Sequence, residues 1–182
     1  LFKGLAIDEL EKEWLEYPVF HIDFNGNDFT KAGTLEDTIE GSIASWETVY
    51  GKDPNFSNIG KRFSYVLAQA HKKYGRRAVV LIDEYDKPIL DVLDTGISSL
   101  VDGERRLLED QHREILKGFY STFKAADEHL KFVLLTGVTN QQTSAWILVM
   151  KHFAVSRLKS YVITLMNLFG HWLSNSDLRK KK

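Results

Sequence analysis

The sequence contains no cysteine. Disulfide frameworks, thiolate zinc sites, iron–sulfur clusters and cysteine nucleophiles are therefore excluded. It has no excess charge of either sign, with 24 basic residues against 25 acidic ones and a net charge of −1. That excludes a globally basic nucleic-acid binder but not a local basic patch. A long apolar run is also missing. The longest charge-free stretch, residues 132–150, is interrupted by the polar residues 139–144 and is too polar to span a membrane. No signal peptide is visible, so the expected compartment is the cytoplasm. The six histidines are scattered and take no HExxH or similar close spacing. Gly-x-Ser-x-Gly is absent, which leaves a serine-hydrolase elbow unsupported.

What is present fits one globular domain. The chain has 182 residues, of which 43% are hydrophobic, enough to bury a core without staples. Its charge is unevenly placed. Residues 1–150 hold 17 basic and 24 acidic side chains, whereas residues 151–182 hold seven basic and one acidic. A break of this size marks the last segment as different in kind. The chain opens with Leu1 rather than Met, as a fragment would.

Residues 17–24 (YPVFHIDF) alternate, with Phe20, Ile22 and Phe24 on one face and Val19, His21 and Asp23 on the other. This pattern predicts a strand. Helical spacing predicts a helix over 34–50, with Thr34 as its N-cap and acids at positions 36 and 37 near the positive end of the dipole. A second helix is expected over 57–74, closed by Gly75 after the basic run His71-Lys72-Lys73. Residues 78–83 (AVVLID) and 131–138 (KFVLLTGV) read as strands buried on both faces. A long helix over 104–124 separates them. Alternating strands and helices predict an α/β fold with a mostly parallel sheet flanked by helices.

The most informative segment is VVLIDEYDKP, residues 79–88. Four apolar residues deliver Asp83 and Glu84 to the carboxyl end of a buried strand, where ligands bind in open α/β sheets. Consecutive strand residues point to opposite faces, so the two acids cannot do the same job. This is the physical logic of a Walker B element: one carboxylate holds Mg²⁺ and the next orients or polarises an attacking water. The plain alternative is an apolar strand that exits into solvent through two acids. A nuclease reading fails, because a PD-(D/E)XK core needs an acid two positions before its lysine and Tyr85 stands there before Lys87.

LIDEYDKPI, followed about 45 residues later by KFVLLTGV, resembles the AAA-ATPase-like domain of bacterial proteins, in which a PD-(D/E)XK nuclease-like domain often follows. The opening LFKGLAI and the phrase YPVFHIDF are similar to that family's spacer and second strand. The resemblance covers residues 1–138 and is most specific over 82–88. It implies a P-loop NTPase-like fold, Mg²⁺ and ATP as cofactors, and nucleotide as the partner. Nucleic acid enters only through an attached nuclease-like domain. It assigns Asp83 to the metal-coordinating acid, Glu84 to the water-activating acid and Thr136 to the position that senses the γ-phosphate.

The sequence departs from the family pattern in two places. G-x-x-x-x-G-K-[ST] does not occur: Gly51-Lys52 and Gly60-Lys61 are followed by Asp53 and Arg62, and Trp46 and Asn55 stand where the first glycine belongs. In the family this P-loop precedes the segment resembling LFKGLAI. The expectation is therefore a fold incomplete at its N-terminus that does not turn over ATP on its own, because the phosphate cradle is missing. The match also fails after Val138, at the charge break. Residues 139–182 are expected to be an altered or truncated end, with the hydrophobic residues 155–173 a candidate cover for the edge of the last strand. Two functions remain open: part of an ATP-binding ATPase domain, or a non-enzymatic, degenerate ATPase-like interaction module.

Overall fold

A computed structural model of the chain describes residues 15–137. The expected LFKGLAI spacer, the divergent segment 139–182 and its stretch 155–173 lie outside the described residues. Five strands and four helices follow one another: β1 (Val19–Asp23), α1 (Thr34–Tyr50), α2 (Ile59–Tyr74), β2 (Ala78–Asp83), the short α3 (Lys87–Leu90), β3 (Ser98–Val101), β4 (Glu104–Leu107), α4 (Leu108–Ala125) and β5 (Leu130–Leu135). A 3₁₀ turn, Asp127–His129, leads into β5. Among the described residues no helix is long and apolar enough to cross a membrane.

The main sheet is parallel and runs β1-β2-β5. β2 is its centre, with Phe20 opposite Val80 and Asp23 opposite Asp83 on one side, and Val80 opposite Val133 on the other. The alternation in β1 is realised as read, since Phe20, Ile22 and Phe24 are buried while Val19, His21 and Asp23 are exposed. In β2, Ala78, Val80 and Ile82 are buried and Val79, Leu81 and Asp83 are half-buried. The strand thus has one sealed face and one partly open face, rather than two sealed ones.

Helices α1, α2 and α4 pack on the sealed face. Phe20 lies 5.0 Å from Trp46 of α1, edge to face, and 6.0 Å from Phe63 of α2. Phe63 in turn stacks on Phe119 of α4 at 5.4 Å. Burying each such ring contributes about 2–3 kcal/mol, so this aromatic column carries much of the core. One buried ion pair ties two helices together: Glu47 of α1 accepts two hydrogen bonds at 2.9 Å from the Arg62 guanidinium of α2.

Three local expectations are corrected. Gly33, with φ of 86°, occupies the N-cap of α1 without a side-chain hydrogen bond, and Thr34 is the first helical residue. Helix α2 starts at Ile59 because the Asn58 side chain caps it, accepting from the Lys61 amide at 3.2 Å. The helix expected over 104–124 begins only at Leu108, because residues 104–107 are strand β4, paired antiparallel with β3. Asp102 and Gly103, at φ of 51° and 84°, form the two-residue turn between them. Asp-Gly between strands is a strong hairpin signal, and both central residues of such a turn need positive φ.

Candidate functional site

Asp83 is the last residue of the central strand, so the sheet holds its backbone on both sides. Its carbonyl accepts from the Phe24 amide at 3.1 Å, just past β1. On the other side the ladder runs one residue beyond β5: the Thr136 amide donates to Ile82 and the Tyr85 amide donates to Thr136, each at 2.9 Å. These two bonds bring the Thr136 side chain beside Asp83.

The carboxylate of Asp83 is gripped at both oxygens. The Thr136 hydroxyl donates to Oδ1. His21 Nε2 lies 2.9 Å from Oδ2. Its ring must carry a proton on Nε2 to make this bond, since an ionised carboxylate only accepts. The Asp83 side chain remains 47% exposed, open to a ligand at the carboxyl edge of the sheet. The Thr136 hydroxyl, and then His21, hold its carboxyl below the ordinary aspartate value. Asp83 is therefore a fixed, ionised oxygen donor at neutral pH.

Glu84 leaves the strand differently. Its φ is 53°, the left-handed region, which costs a non-glycine residue about 1–2 kcal/mol. The turn closes with the Lys87 amide donating to the Glu84 carbonyl at 3.0 Å. The Glu84 side chain is half-buried. The structure thus brings Asp83 and Thr136 into direct contact and sets Glu84 beside them on a strained turn.

The rest of the acidic motif does other work. Asp86 is fully buried, and Tyr85 nearly so. Gly137, next to Thr136, packs on both: a Cβ there would come within 2.8 Å of the Asp86 carboxyl carbon and of Tyr85 Cδ1. Tyr120 of α4 lies beneath, its hydroxyl 3.4 Å from the Tyr85 carbonyl. Burial, and then Tyr85 and Asp86, push its phenol far above the ordinary range. Lys87 folds back onto Asp91 at 2.7 Å and does not reach Asp83. His112 is buried, with Nδ1 donating to the Pro88 carbonyl at 2.7 Å, which anchors α3 to α4.

Sequence reasoning missed His21 and Gly137. The alternation of β1 places His21 on the exposed face, but nothing local says that β1 pairs with β2 in a register that lays His21 diagonally across from Asp83. Gly137 is required by space rather than by backbone conformation, and only the packing shows it.

No solved structure matches the chain. An uncharacterized protein in the vnfD 5′ region of Azotobacter chroococcum mcd 1 is 34% identical over 139 residues, 76% of this chain and 25% of that protein. The chain therefore spans about a quarter of the length of that relative. A family described as Predicted AAA-ATPase matches residues 1–145, which include β1, β2, Asp83, Glu84, Thr136 and Gly137. The chain belongs to the predicted AAA-ATPase family.

Proposed function

We propose that residues 15–137 form the part of an ATP-binding domain in which Asp83 holds the nucleotide's Mg²⁺, Glu84 orients the attacking water and Thr136 reads the γ-phosphate. The observation that carries this reading is the double grip on Asp83, by Thr136 from one neighbouring strand and by His21 from the other. A half-exposed carboxylate fixed at the carboxyl edge of a parallel sheet is where this fold class meets ligands.

The donor set fits magnesium. Mg²⁺ prefers oxygen ligands and is usually held by one or two carboxylates plus water and substrate phosphates, rather than by an all-protein cage. Asp83 supplies one hard oxygen donor, and among the described residues no group of three or more acids or histidines could cage a metal. When bound, the ion would neutralise charge on the phosphates. Thr136 holds Asp83 ionised and in place until then, and its exposed position leaves its hydroxyl within reach of a ligand. Glu84 contributes a second carboxylate on a turn that separates it from Asp83, which suits a different role.

Supplying the phosphate cradle tests this. The chain, and a version extended upstream through its parental reading frame, are assayed for Mg-ATP binding and hydrolysis. The extended protein is expected to bind and hydrolyse ATP. Glu84→Gln should lower hydrolysis by about a hundredfold or more while sparing binding. If the extended protein binds no nucleotide, a degenerate ATPase-like interaction module replaces this reading.

A further inference from the structure

At the opposite end of the sheet, two histidines from distant parts of the chain face each other. His71 sits in the last turn of α2 and His129 in the 3₁₀ turn that leads into β5. Their Nδ1 atoms are 3.1 Å apart, and the rings meet edge to face with centroids 5.4 Å apart. The pair is partly buried, with the His129 side chain 25% exposed. β5 starts at Leu130 and Thr136 lies just past its end, so a strand's length, about 20 Å, separates this pair from Asp83. The pair therefore stands independently of the nucleotide reading.

We propose that His71 and His129 form a binding site for a late first-row divalent cation such as Zn²⁺, coordinated through both Nδ1 atoms and completed by water. Three observations support it. The first is distance. Nitrogen donors about 2.0–2.1 Å from zinc lie about 3.3–3.4 Å apart at tetrahedral angles and about 2.9 Å apart at right angles. The observed separation falls between these values, so a small adjustment of either ring seats the ion.

The second is the partner of the outer nitrogen. His129 Nε2 lies 3.7 Å from the Glu128 carboxylate. That is ion-pair rather than hydrogen-bond range, so this exposed carboxylate favours a proton on the far nitrogen without fixing it, which leaves the Nδ1 lone pair available to an ion. Without metal, one of the two rings supplies the single proton shared between the Nδ1 atoms. With metal, that proton would move through solvent to Nε2 of the same ring, and both Nδ1 lone pairs would face the ion.

The third is electrostatic. His71 lies at the carboxyl end of a 16-residue helix, where the helix dipole favours a cation. Lys72 and Lys73 of the same turn are exposed to solvent, which screens their repulsion. Imidazole suits zinc, cobalt or nickel and does not suit magnesium or calcium, so the site selects against the ion assigned to Asp83.

The test is titration of the full chain with Zn²⁺ by calorimetry, in a non-chelating buffer, with Mg²⁺ as the comparison. One equivalent of Zn²⁺ is expected to bind and to raise the melting temperature, whereas Mg²⁺ leaves it unchanged. His71→Gln and His129→Gln should each weaken binding by at least about tenfold, and Glu128→Gln by a smaller factor. Nitrogen NMR of the unmodified chain gives a second readout that does not depend on any variant folding. There the Nδ1 resonances of His71 and His129 should move together on adding Zn²⁺. Affinity in both glutamine variants unchanged from that of the parent chain, or shifts confined to other histidines, means an adventitious ion only and overturns the proposal.

Discussion

The hydroxyl of Thr136 donates to the carboxylate of Asp83 across 53 residues of chain. The contact exists because β5 lies directly beside β2 and its ladder continues one residue past the strand. It fixes one oxygen of the acid while His21 fixes the other.

Removing that donor should show in the titration of the acid. Thr136→Val keeps the strand's shape and deletes the hydroxyl. Because the hydroxyl stabilises the ionised form, its loss moves the Asp83 carboxyl upward, toward the ordinary aspartate value. Carboxyl-carbon NMR of the two chains across acidic pH reads this directly. A downward move or no move would show that Thr136 does not govern the acid.

Gly137→Ala should destabilise the site by crowding. The added methyl meets Asp86 and Tyr85, both buried, so neither can swing into solvent. Overpacking of this kind costs about 1–3 kcal/mol, measurable by urea unfolding. Amide exchange at Tyr85 and Thr136, which are hydrogen-bonded around this contact, should quicken more than exchange at Val80 in the sheet centre. Uniform exchange would locate the cost elsewhere.

The Glu47–Arg62 pair predicts a loss of stability in acid. Its side chains are only 7% and 10% exposed. The guanidinium hydrogen bonds hold the Glu47 carboxyl below the ordinary glutamate value. The folded form therefore binds its proton later than the unfolded form. The stabilisation is complete above the unfolded value and is lost as pH falls through the lower folded one. Glu47→Ala should cost about 3 kcal/mol at neutral pH, because it leaves a buried guanidinium with only the half-exposed Glu40 carboxylate, 3.9 Å away. It should also flatten the stability profile in the acid range, below the ordinary glutamate value. A variant that retains the full acid dependence would assign that dependence to other carboxylates.

The hairpin should respond locally to its turn. Gly103 has φ of 84°. Gly103→Val places a β-branched residue in the left-handed region at a cost of more than about 1 kcal/mol. Because β3 and β4 form a sheet of their own, hydrogen exchange should rise across residues 98–107 and stay unchanged in β2. Equal effects in both sheets would mean that the two unfold together.

Much of this architecture was legible in the chain itself. Side-chain periodicity reports which face of an element meets the core, so the alternation of residues 17–24, the apolar run of 78–83 and the helical stripe of 34–50 led to β1, β2 and α1. The same logic placed Asp83 at the mouth of a strand, and the phrase around it pointed to the family. The hairpin is hidden because residues 104–107, three charged side chains and a leucine, continue the pattern of α4, although Asp102-Gly103 marks the turn. Periodicity does not say which strands are neighbours, or in what register. That depends on contacts between residues far apart in sequence, whose energies no local pattern records. Only the assembled sheet set His21 and Thr136 on the two oxygens of Asp83, sank Asp86 beneath Gly137 and turned two scattered histidines, His71 and His129, into a facing pair.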